Sequence, residues 1–128
     1  MDKKKVYVII LVSLLIMTLN TFSGCLNTDD SEETSSSNGL EIISHNGQLV
    51  SFNYWIRGTV KNNAGRMVKR VKVKANFYNS EDSYIGSDTV SVGNMADGYT
   101  KQFDIHWAPY SDIYKDVNHY TLSVYSGW

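Results

Sequence analysis

From Val50 onward, apolar and polar residues alternate with a period of two. Val50, Phe52, Tyr54, Ile56 and Val60 alternate with Ser51, Asn53, Arg57, Thr59 and Lys61, which predicts one half-buried strand over residues 50–62. Asn62-Asn63-Ala64-Gly65 follows as a turn, because Asn and Gly tolerate positive φ. Val71, Val73, Ala75 and Phe77 then alternate with Arg70, Lys72, Lys74, Asn76 and Tyr78 in a second strand. Residues 84–92 read as a strand with irregular alternation, and Gly86 within it predicts an edge or a bulge. Phe103, Ile105 and Trp107 mark the next strand, and Tyr120, Leu122 and Val124 the last. A weaker strand is expected over residues 40–44, and a single helical turn within 111–116. Six or seven short strands separated by frequent turns predict an all-β sandwich. Phe52, Phe77, Phe103 and Trp107 fall on the apolar phase and are the expected centre of its core.

The pattern upstream is different. Lys3, Lys4 and Lys5 precede an apolar run over residues 6–19 that only Ser13 and Thr18 interrupt. Small residues then lead to Cys25. Basic, apolar and small, in that order, is the layout of a secretory signal peptide, assigned here to residues 1–24. A retained membrane helix is the competing reading, but spanning the hydrocarbon takes about 20 apolar residues. Between Asn27 and Asn38 there is no apolar side chain, so residues 25–38 are expected to form a flexible tether. That leaves residues 39–128 for the sandwich.

Charge follows the same zones. Residues 1–24 carry +2, residues 25–38 carry −4 through Asp29, Asp30, Glu32 and Glu33, and the remainder carries +1, for a net −1. No polybasic tail is present, so no nucleic-acid partner is expected. One cysteine cannot close an internal disulfide. Phe22-Ser23-Gly24-Cys25 resembles the prokaryotic lipobox, with Phe22 where that motif prefers Leu. The resemblance implies cleavage before Cys25 and a diacylglyceryl lipid on its sulfur, with no other cofactor. Two chains are needed for a durable anchor, since one holds only marginally. The expected address is the extracytoplasmic face of a cell membrane or envelope.

Catalytic patterns are sparse. His45, His106 and His119 are far apart in sequence, and metal sites need several converging ligands, so no metal site is expected. Asp104 and His106 share one strand face, but they alternate with Phe103, Ile105 and Trp107 and therefore lie on the wet side. There is no Gly-x-Ser-x-Gly elbow and no phosphate loop opening a helix. The expectation is a protein that is not an enzyme.

One constellation remains. If strands 50–62 and 69–78 pair as a hairpin, their outward residues share a surface: Trp55, Arg57 and Lys61 beside Arg70, Lys72, Lys74 and Tyr78. A basic field around an indole fits an anionic glycan, a lipid headgroup or an acidic protein. The plain alternative is a solvated face whose lysines discourage edge-to-edge aggregation.

Gly58-Thr59-Val60-Lys61-Asn62, residues 71–79, Gly98 through Phe103, and residues 120–124 together resemble an FxLYD-type domain, over about Arg57 to Val124. The naming motif stands here as Ala75-Asn76-Phe77-Tyr78-Asn79, departing at Ala75, Phe77 and Asn79; Asp97 stands where Pro commonly precedes the Gly. The resemblance implies a small immunoglobulin-like antiparallel β-sandwich carried on an envelope lipoprotein. Its expected role is an accessory or protein-interaction module, with binding of anionic glycans or headgroups as the alternative.

Overall fold

The computed structural model describes residues 33–127; the expected signal segment, Cys25 and the expected tether up to residue 32 lie outside the described residues. The described residues form seven strands: β1 (Thr34–Ser35), β2 (Leu40–Val50), β3 (Asn53–Asn62), β4 (Val68–Tyr78), β5 (Tyr84–Met95), β6 (Thr100–Trp107) and β7 (His119–Ser126). A single 3₁₀ turn, Asp112–Asp116, lies between β6 and β7. The strands form a β-sandwich of two sheets, one in the order β1-β7-β4-β5 and the other β2-β3-β6. All pairings are antiparallel except that of β1 with β7.

The period-two phase identifies the core. Leu40, Ile56, Val60, Phe103, Ile105 and Trp107 of one sheet face Val71, Val73, Ala75, Phe77, Tyr120, Leu122 and Val124 of the other, all buried. Phe77 stacks on Trp107 at 4.3 Å between ring centroids and meets Tyr54 edge-on at 5.6 Å. These contacts align the strand ends of the two sheets. Gly86 lies on the edge strand β5, as its sequence position predicts. A Cβ there would come within 2.3 Å of Trp107 Cζ2, so the indole occupies the space that a side chain would need.

Four expectations are corrected. The run 50–62 is not one strand, because Val50 ends β2 and a turn at Ser51 and Phe52 reverses the chain into β3. Ser51 takes φ 54°, a left-handed conformation that the sequence does not announce with Gly or Asn. Phe52 consequently leaves the core and is 75 % exposed. Phe52→Ala is expected to change stability by no more than about 0.5 kcal/mol in a urea melt; a loss comparable to that of a buried phenylalanine would contradict the turn.

The weak strand expected at 40–44 instead continues to Val50. As an edge strand it is held by backbone pairing with β3, which tolerates the polar stretch from Ser44 to Gln48.

β3 and β4 do not form a hairpin. They belong to opposite sheets, because the connection after Asn62 arches across the sandwich. Asn62 organises that arch and is fully buried. Its Nδ2 donates to the carbonyls of Arg66 (2.8 Å) and Met95 (2.9 Å), and its Oδ1 accepts from the Ala64 N–H (2.9 Å).

The last residues assigned to the tether are seated on the sheet. The N–H of Leu122 donates to the Glu33 carbonyl (3.0 Å), β1 pairs with Leu122 and Ser123, and the Ser37 hydroxyl donates to the Val124 carbonyl (3.0 Å). An open strand edge offers backbone donors and acceptors whatever the side chains beside it, so a segment without apolar residues can still pair.

Candidate functional site

The seven candidate contact residues divide between the two outer faces of the sandwich. Trp55, Arg57 and Lys61 lie on β3; Arg70, Lys72, Lys74 and Tyr78 lie on β4. The single basic and aromatic surface expected from a β3–β4 hairpin therefore does not form.

On the three-stranded sheet, β3 pairs Trp55 with His106 and Arg57 with Asp104. The Trp55 and His106 rings stack at 4.1 Å with a 17° interplanar angle. Arg57 lies over the indole at 4.9 Å, and its Nε donates to Asp104 Oδ1 at 2.8 Å. Both partners of this ion pair are more than half exposed, which limits its contribution to at most about 1 kcal/mol. Arg57 thus has a local counterion, and the indole has its faces occupied. Trp55 Nε1 is shielded from solvent and donates to no acceptor among the described residues.

Asp104 and His106 do share the wet face. Asp104 is engaged by Arg57 and His106 by Trp55, and the neighbouring groove of about 320 Å³ is open to solvent. No serine or threonine is hydrogen-bonded to either among the described residues. His45 instead contacts the Tyr120 hydroxyl through Nδ1 at 2.9 Å. Among the described residues no three metal-ligating side chains converge.

The four-stranded sheet presents the more ordered surface. β4 lies between β5 and β7, so from Lys72 to Tyr78 each of its outward residues has a neighbour on both sides. Register places Lys72 between Ser91 and Tyr125, Lys74 between Thr89 and Ser123, and Asn76 between Ser87 and Thr121. Tyr78 completes the series between Tyr84 and His119. It stacks on His119 at 5.1 Å and 9°, and Tyr84 meets it edge-on at 6.1 Å. The serines and threonines had no functional signal of their own in the sequence, since only register brings them beside the lysines.

At the start of β4 the alternation breaks. Lys69 and Arg70 are both exposed between buried Val68 and Val71, at a register shift against β5. Arg70 takes φ 55°, and its N–H donates to Asn94 Oδ1 at 3.1 Å. The bulge thereby turns two successive cations outward instead of one. Beside it is an open groove of about 380 Å³ lined by Arg66, Met67, Lys69, Arg70 and Ser126 among others. A second open groove, of about 390 Å³, lies towards the other end of the face between β1, β7 and β4, and its lining includes Glu33, Asn76, Tyr78, Thr121 and Ser123.

The perturbed titrations lie elsewhere. Hydrogen bonding to Lys115, at 2.8 Å, and then its charge hold the Asp112 carboxyl below its ordinary 3.8. With the folded value depressed, any stabilisation from this exposed pair is present above the unfolded value and fades as pH falls through the folded one. It is a surface pair of little weight. No described helix is long and apolar enough to cross a membrane.

No protein-family model matches the sequence, and no curated protein matches it. Two solved structures align with this chain. The Campylobacter jejuni protein cj0090 aligns with a TM-score of 0.51 at 9 % identity, covering 75 % of this chain and 99 % of that one. A DUF1425 family member from Shewanella sp. pv-4 aligns with a TM-score of 0.48 at 11 % identity, covering 70 % of this chain and 79 % of that one. At these identities the likeness to the Campylobacter protein is one of fold alone.

Proposed function

We propose that this chain is an envelope lipoprotein, held on the extracytoplasmic face of a membrane by a diacylglyceryl lipid on Cys25, with its sandwich serving as an accessory or protein-interaction module. The observation that carries the reading is the order of basic, apolar and small residues ending at Cys25, eight positions ahead of Glu33. A thiol is the soft nucleophile that can accept the lipid, and Ser23 and Gly24 leave room for the processing enzymes. Eight residue steps reach at most about 28 Å when fully extended, enough to hold a small domain just clear of a bilayer. The resemblance to FxLYD-type domains fits the same reading. The engaged state of Asp104 and His106 favours a binding role over hydrolysis.

Cells fed radiolabelled fatty acid are expected to transfer label to the wild-type chain and not to Cys25→Ala, which also retains residues 1–24 by intact mass. Equal labelling of the two proteins, or a wild-type chain with an unmodified thiol, would overturn the lipid anchor.

A further inference from the structure

We propose that the outer face of the four-stranded sheet binds a linear polyanionic glycan, one that carries carboxylates along its length. The face is a row rather than a pocket. Arg70, Lys72 and Lys74 follow one another along β4, with Lys69 beside them at the bulge and Arg66 in the groove next to it. Successive outward positions of a strand are about 6.6 Å apart, so Arg70 to Tyr78 spans roughly 26 Å. That length accommodates several sugar residues in an extended chain.

The charge of Lys72 and Lys74 has no counterweight among the side chains that flank them. The outward positions flanking Lys72, Lys74, Asn76 and Tyr78 are hydroxyl, phenol or imidazole side chains, and none is a carboxylate. Among the described residues Lys69, Lys72 and Lys74 form no ion pair, in contrast to Arg57 on the opposite face. Lys72 and Lys74 are half-buried, as expected of long side chains that pack their stems on neighbours and keep their charged heads in water. Holding like charges in line costs self-repulsion, which an anionic chain laid along them relieves. Acidic groups do lie around the face: Glu33 lines the groove beside Asn76, Asp82 is 3.6 Å from His119 Nε2, and Asp88 sits on β5 between Ser87 and Thr89, opposite the inward Ala75.

The surroundings of the lysines choose among anionic partners. Ser87, Thr89, Ser91, Thr121, Ser123 and Asn76 offer donors and acceptors that match sugar hydroxyls. Tyr84, 59 % exposed beside Tyr78, ends the row with aromatic surface of the kind that packs against a pyranose face. A bilayer surface would call for apolar side chains to insert, and these four rows contain no aliphatic one. A protein partner would call for an apolar centre within a polar rim, and the middle of this face is lysine and hydroxyl.

The test uses the full chain in a non-ionic detergent without a sugar headgroup, titrated with oligomers of polygalacturonate and of hyaluronate, with dextran as the neutral control. The proposal expects saturable binding to at least one anionic glycan, none to dextran, and an affinity that falls steeply between 50 and 300 mM salt, as the Debye length shortens from about 14 Å to about 6 Å. Lys72→Glu combined with Lys74→Glu should weaken binding at least tenfold, whereas Lys61→Glu on the other sheet should change it less than twofold. Thr121→Ala with Ser123→Ala, which keeps the charge, should weaken it several-fold and confirm that hydroxyls contribute. A thermal melt of each variant verifies that it folds. Unchanged binding by the folded double-glutamate variant, equal binding to dextran, no binding of the wild type to either polyanion at 50 mM salt, or tighter binding to micelles doped with phosphatidylglycerol would each overturn the proposal. The folded Lys72→Glu, Lys74→Glu variant should still take up fatty-acid label on Cys25, so this surface and the lipid anchor stand or fall separately.

Discussion

Phe77→Ala will destabilise the sandwich by about 3–5 kcal/mol, the range for removing a large aromatic from a packed core. Phe77 has no exposed surface. It lies on β4 opposite Tyr120, stacks on Trp107 and meets Tyr54 edge-on, so one ring joins three strands besides its own. Truncation removes the buried area and leaves a void that the surrounding rings cannot fill without leaving their rotamers. Small domains unfold with a margin of about 5–15 kcal/mol, so this one change consumes much of it. At roughly 4–8 °C per kcal/mol, the thermal midpoint should fall by at least about 12 °C. A loss no greater than that of Phe52→Ala would mean that the two sheets do not meet at Phe77 and Trp107.

Asn62→Asp is the second large effect, although it changes the shape of the side chain hardly at all. The amide nitrogen donates to two carbonyls inside the arch. A carboxylate in its place aims negative oxygen at those carbonyl oxygens and strands a charge out of water. An uncompensated buried charge costs about 3–5 kcal/mol. The penalty must depend on pH. Burial and the two carbonyls raise the introduced carboxyl's folded pKa above its unfolded value near 3.9. The folded state then holds the proton more tightly, so stability relative to wild type is best below about pH 4 and is lost as pH rises through the folded value. Urea midpoints of both proteins at pH 3.5 and pH 7 measure this. A gap that narrowed with rising pH would refute the buried donor role of Asn62.

Regular alternation made β4, β6 and β7 legible. In each, one face had to meet an apolar layer, and period two assigns every side chain once that face is known. The same logic correctly placed Arg70, Lys72, Lys74 and Tyr78 on the outside of β4. It failed around Phe52 because a strand and a tight hairpin can carry the same alternation when the turn residue is serine. It failed for β1 because pairing at a sheet edge uses the backbone, which composition does not report. It failed for the combined Trp55 and Lys72 surface because the turn residues after Asn62 are compatible with a hairpin and with an arch alike.

Side-chain pattern alone therefore settled the class of fold, most of the core and which lysines face water, since each of these follows from a residue's polarity and its immediate neighbours. The sheet to which each strand belongs, the hydroxyl neighbours of Lys72 and Lys74, and the separation of Trp55 from them were decided only by the tertiary structure. Those are matters of register and of where the chain crosses the sandwich. They are governed by contacts such as Asn62 with Met95 and Phe77 with Trp107, between residues some thirty positions apart that no local pattern brings together.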